Sequence, residues 1–97
     1  TFEYEGGTYA ANDLLVDEEG NSHVLFYGEN INTDAFGLLY ATNAGGPWKT
    51  RDVDTAVEVS RVSLFSVAPN VFGAGYFRGR IGWGTYLTQF PGGSDMP

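Results

Sequence analysis

No window of a dozen residues in this chain keeps an apolar stripe at helical spacing free of glycine or proline. Short runs that alternate or are continuously apolar recur instead, about every ten residues, and each stops at a cluster of Gly, Asn, Asp or Pro. Such a chain has few folds open to it. Side chains at period two face opposite sides of a sheet, and the glycine-rich stops are tight turns between neighbouring strands. The expected fold is all-β, an antiparallel sandwich or small barrel of seven to nine short strands.

The runs are read directly from the chain. Thr1-Phe2-Glu3-Tyr4-Glu5 alternates ring and carboxylate, as a strand with one wet face does. Thr8 to Leu15 is the best helical candidate, although Thr8 to Ala11 equally suits a partner strand after Gly6-Gly7. Leu14-Leu15-Val16 is a short apolar run that ends at the acidic turn Asp17-Glu18-Glu19-Gly20-Asn21. His23-Val24-Leu25-Phe26-Tyr27 is the most continuous apolar run, which predicts a strand buried on both faces. Phe36 to Thr42 is a further strand, and Trp48 to Val53 reads as an outer one. In the second half Val57-Glu58-Val59, Val62 to Phe65, Val71 to Phe77 and Ile81 to Phe90 are strand-like. Gly73 and Gly75 within one of them predict a bulge or a close neighbour.

Ninety-seven residues make one domain, able to bury roughly 65% of its unfolded surface. That domain is expected over residues 1–90, with 91–97, Pro91 to Pro97, as a tail that cannot pack by itself. No apolar run approaches the length of a membrane span. The formal charge of −7 repels phosphate backbones, so direct nucleic-acid binding is not expected. The charge is also unevenly placed. Residues 1–47 hold eight acids and no Lys or Arg, whereas 48–97 hold four acids and all five bases, Lys49, Arg51, Arg61, Arg78 and Arg80. Opposed charge of this kind suits pairing between copies of a chain.

A slide of the chain on itself by 49 residues aligns Leu15 with Leu64, Asn21 with Asn70 and Tyr27 with Tyr76. A three-residue gap then brings Tyr40 to Tyr86. The first unit, with Leu14-Leu15-Val16-Asp17, Gly20 to Tyr27, Gly37 to Thr42 and Gly45-Gly46-Pro47-Trp48-Lys49, resembles one blade of the sialidase-like β-propeller repeat over residues 14–54, and more loosely 62–88. The Ser-x-Asp-x-Gly-x-Thr-Trp signature of that family and its arginine cluster are absent. The resemblance therefore implies an alternative architecture, two propeller-like four-stranded blades, and no activity. Two blades cannot close a ring, so this alternative predicts a homo-oligomer.

The chemistry of the residues points away from catalysis. With one His and no Cys, no zinc site is expected, and no cofactor is implied. The loop from Asp17 to Asn21 gathers oxygen ligands without the spacing of a calcium hand and reads as a solvated turn. His23 lies in an apolar strand, the place of a structural imidazole. Asp52 and Asp54, two apart, are the most suggestive carboxylate pair. Arg78 and Arg80 with Tyr76, Phe77 and Trp83 form a basic-aromatic cluster suited to an acidic partner surface. Trp48, Trp83, Tyr40 and Tyr86 are candidates for stacking on sugars. The candidate binding residues are thus Trp48, Tyr76, Arg78, Arg80 and Trp83, with no catalytic residue and no metal ligand.

The leading functional expectation is a non-catalytic structural or assembly protein, such as an accessory or coat-type subunit of a phage-like or extracellular particle. Its partners would be copies of itself or another protein. An oligomeric lectin-like module binding glycans and a small acidic inhibitor of the anti-restriction or anti-CRISPR type are the alternatives. A virion or extracellular assembly is the expected setting, a cytoplasmic one the alternative.

Overall fold

A computed structural model describes residues 8–29, 34, 36–55, 59–78 and 84–93. It forms seven antiparallel strands, β1 (Thr8–Val16), β2 (Ser22–Glu29), β3 (Phe36–Thr42), β4 (Lys49–Thr55), β5 (Val59–Ala68), β6 (Val71–Arg78) and β7 (Gly84–Pro91). They lie in two meanders, a four-stranded sheet in the order β1-β2-β3-β4 and a three-stranded sheet in the order β5-β6-β7. The all-β expectation holds, in the form of a small sandwich. Thr8 to Leu15, the best helical candidate, is strand throughout. The strands expected over Thr1 to Glu5 and at Val57-Glu58 lie outside the described residues.

The 49-residue offset carries β2 onto β6, residue for residue. For the third strands the ladders ask for a different step. Leu25 pairs with Tyr40 and Ala74 pairs with Thr88, so the counterpart of Tyr40 is Thr88 and not Tyr86. The sheets meet through like faces. His23 and Leu25 of β2 face the interior, as do their counterparts Phe72 and Ala74 of β6. This like-face packing is the arrangement of sandwich layers.

The inner core joins Leu25, Leu38 and Tyr40 of the first sheet to Val59, Leu64, Phe72, Ala74, Tyr76 and Phe90 of the second. Phe26, Leu39 and Ala41 form another buried cluster on the opposite face of β2 and β3. Leu25 and Phe26 are adjacent and both fully buried, so β2 is enclosed on both faces as its unbroken apolar run requires.

Three local features place side chains where residue type or alternation alone would not. Asp13, in the middle of β1, turns inward and accepts a hydrogen bond from the Leu64 amide at 2.8 Å. In β4 a register shift opposite Leu38 and Leu39 leaves Val53 as the extra residue. Asp52 therefore sits opposite Leu39 on the outer face and Asp54 opposite Leu38 on the inner one. In β5 a shift between Ser60 and Ser63 leaves Arg61 with φ of 53°. That left-handed conformation is uncommon for a residue with a side chain.

Candidate binding surface

The polar groups of the interior are organised by His23, whose side chain is fully buried. Nε2 lies 2.8 Å from Asp17 Oδ2 and Nδ1 lies 2.7 Å from the Tyr40 hydroxyl, which accepts the Gly93 amide at 2.7 Å. These partners select a tautomer. Nε2–H donates to the Asp17 carboxylate, and the Tyr40 hydroxyl donates to Nδ1. Asp17 Oδ1 also accepts the amides of Glu19 and Asn21, which folds the acidic turn around this one carboxylate. The His23 hydrogen bond, aided by the Asn21 amide, holds the Asp17 carboxyl below its ordinary range. Burial pushes the Tyr40 hydroxyl up. The phenyl ring of Phe72 packs 4.5 Å from the imidazole. The network ties the first turn, the core of the first sheet and the chain just beyond β7 into one unit, and among the described residues no buried side-chain N or O atom lacks a partner.

The chain after the last strand is correspondingly not free at its start. Gly92 and Gly93 are buried, the Gly92 amide donates to the Asn70 carbonyl at 2.9 Å, and Gly93 has φ of 60°. A side chain at Gly92 would strike Phe72 and Tyr40. The expected tail is therefore docked for its first residues, and residues 94–97 lie outside the description.

Of the candidate binding residues, Tyr76 and Arg78 come together on β6, two residues apart and so on one face. The Tyr76 hydroxyl donates to Asp54 Oδ2 at 2.6 Å, and Arg78 Nη1 lies 3.7 Å from the same oxygen. Arg78 Nη2 donates to the Thr55 carbonyl, and its guanidinium covers the Tyr86 ring. Burial, with the Asp54 carboxylate beside it, raises the Tyr76 hydroxyl. These contacts clamp β6 to β4 across the sandwich. Trp48 lies elsewhere, just ahead of β4, and is partly exposed. Arg80 and Trp83 lie outside the described residues. Asp52 and Asp54 do not converge, since the bulge at Val53 puts them on opposite faces. Among the described residues no group of three His, Asp or Glu side chains is arranged to hold a metal ion.

The open surface lies on the other face of the three-stranded sheet. Phe72, Ala74 and Tyr76 point inward, so Gly73, Gly75 and Phe77 point outward. The ladders set Ser63 and Leu87 on either side of Gly75, and Phe65 and Gln89 on either side of Gly73. The Phe65 ring lies on Gly73, where a Cβ would strike it. Above Gly75 there is open space. An open depression of about 630 Å³ results, lined by Arg61, Ser63, Gly75, Phe77 and Thr85 and by the backbone side of Tyr76. Beside it Phe65 is 37% exposed and Leu87 71%. The left-handed bulge brings Arg61 to its rim. Arg61 has no hydrogen-bond or ion-pair partner among the described residues, whereas Arg78 has Asp54 and Arg51 donates to the Pro91 carbonyl. Sequence reasoning saw the two glycines but passed over Arg61, because nothing in its residue type announces a left-handed backbone.

Comparison with models of known families, with characterised proteins and with solved structures finds no match for this chain.

Proposed function

We propose that this chain is a non-catalytic assembly subunit that works through contacts between copies of itself, as a component of a particle or other repeated array does. The observation that carries this reading is the outer face of the three-stranded sheet, where Phe65 and Leu87 stand in solvent beside a glycine floor. Exposed apolar side chains are ordinary when scattered. Grouped on one flat sheet face they are a place for another protein surface to dry. The outer cluster of the first sheet, Phe26, Leu39 and Ala41, is by contrast buried.

The polar groups support the non-catalytic part of the reading. His23 is enclosed with both ring nitrogens engaged, and Asp54 is held by Tyr76 and Arg78. A general base needs a free face toward substrate, which neither group has. Sedimentation velocity over a concentration series tests the proposal. The wild-type chain should associate as concentration rises, and Leu87→Asp, at a site 71% exposed, should remain a folded monomer. A wild-type chain that stays monomeric at the highest concentration defeats it.

A further inference from the structure

The occupant of the Gly75 depression follows from a second exposed stripe on the opposite side of the molecule. In β1, Leu15 packs on the core and Asp13 turns inward to Leu64. Leu14 and Val16 therefore lie on the outer face of the four-stranded sheet, 62% and 60% exposed. The exposed acids Glu18 and Glu19 follow at once on the turn. Along β1 the order is Leu14, Val16, then negative charge.

Across the outer face of the other sheet the same order recurs in complementary form. The first row holds Phe65 over Gly73, the next row holds the open notch at Gly75 beside Leu87, and the end of the depression holds Arg61. Successive rows on one face of a strand are about 7 Å apart, and so are Leu14 and Val16. Apolar knobs at this spacing match an aromatic shelf and a notch at the same spacing, and both stripes end in opposite charge.

Resting on the assembly reading above, we infer that β1 of a second copy docks on this face, with Val16 seated over Gly75, Leu14 against the Phe65 ring, and the Glu18–Glu19 turn toward Arg61. The outer faces of a sandwich look in opposite directions, so the contact joins unlike surfaces, head to tail. Each copy then offers one free donor stripe and one free notch. Three particulars support this occupant. Arg61 is a cation with no partner among the described residues, in a chain of net charge −7. The acids next to Val16 lie in the half of the chain that has no base. And Gly75 leaves space that no side chain among the described residues enters.

Gly75→Val is the decisive variant. Its Cβ meets no atom of the described residues within 4 Å and valine suits a strand better than glycine does, so the fold should be retained, as far-ultraviolet circular dichroism and a melting curve will report. Its dissociation constant for self-association should rise at least about tenfold. Arg61→Glu should weaken association similarly, and adding Glu18→Arg and Glu19→Arg to it should restore association. The chain contains no cysteine, so disulfide trapping is clean. Val16→Cys mixed with Leu87→Cys should cross-link, and neither variant should cross-link with itself. If the wild type associates and Leu87→Asp prevents it, yet Gly75→Val associates normally, or Leu87→Cys cross-links with itself, or the charge reversal does not restore association, the docking inference falls while the assembly reading stands. If the wild type never associates, both fall.

Discussion

Asp17 is the residue on which most of the local order depends. One carboxylate oxygen holds two turn amides and the other holds the imidazole of His23. Its carboxyl lies below the ordinary carboxylate range because the charged form receives these hydrogen bonds. The sign of the linkage follows. A group with a depressed folded value stabilises the fold at pH above its unfolded value of about 3.9, and that stabilisation is lost as pH falls through the folded value. Urea denaturation across pH 3 to 7 should therefore find Asp17→Asn less stable than wild type at neutral pH, with the gap closing toward pH 3. A gap of constant size would mean that the carboxylate charge plays no part. His23 itself was legible in the sequence as structural, because an imidazole in an unbroken apolar run must be enclosed. Its partners were not. Asp17 lies across a turn, Tyr40 on the neighbouring strand and Gly93 at the far end of the chain, and their distances from His23 are properties of the folded sheets alone.

Strands and turns were more legible than partners. Every described strand falls within or beside a run that alternation or continuous apolarity marks, and the acidic, Asn-containing and Gly-Pro turns stop them where expected. β1 was the ambiguous case, since Asn12-Asp13 is poor strand chemistry. Its reason appears only in three dimensions, where the Asp13 carboxylate reaches the Leu64 amide of the other sheet. Bulges were equally hidden. Alternation put Asp52 and Asp54 on one face, and the extra residue Val53 separates them. Tyr76 and Arg78 stood out in the sequence as part of a basic-aromatic cluster, and they come together in the fold because residues two apart on a strand share a face. At Arg61 the backbone holds a side chain in a region that favours glycine, a cost of about 1–2 kcal/mol. Local strain of this kind is retained where it positions a group for use. Arg61→Gly should therefore leave the monomer as stable as wild type or up to about 1 kcal/mol more stable by thermal unfolding, and yet weaken self-association. A variant that lost stability and kept its association would put the bulge down to packing.

For the whole molecule, like-face packing of two sheets leaves two outward faces that differ from one another. One carries Leu14 and Val16 beside acids, the other Phe65 and Leu87 beside Arg61. Contact between unlike faces does not end at a pair, and continues as a ring or an open series of subunits. Leu87→Asp removes one face and keeps the other. Mixed into wild type at a small fraction, it should occupy notches through its intact β1 and offer no notch in return, so that mean assembly size by light scattering falls by more than its share of the mixture. A decrease in simple proportion would point to closed pairs. The charge difference between the two halves was visible in the sequence from the start. What it could not convey is that the acidic turn and Arg61 belong to opposite sides of a two-layer body.

Gly93 accepts a left-handed backbone so that its amide can reach the phenol of Tyr40 in the opposite layer. A pull on Gly93 is thus not borne by β7 alone. The load crosses to Tyr40, then through the imidazole to Asp17, so that Gly93 is tethered to the same turn that carries Glu18 and Glu19.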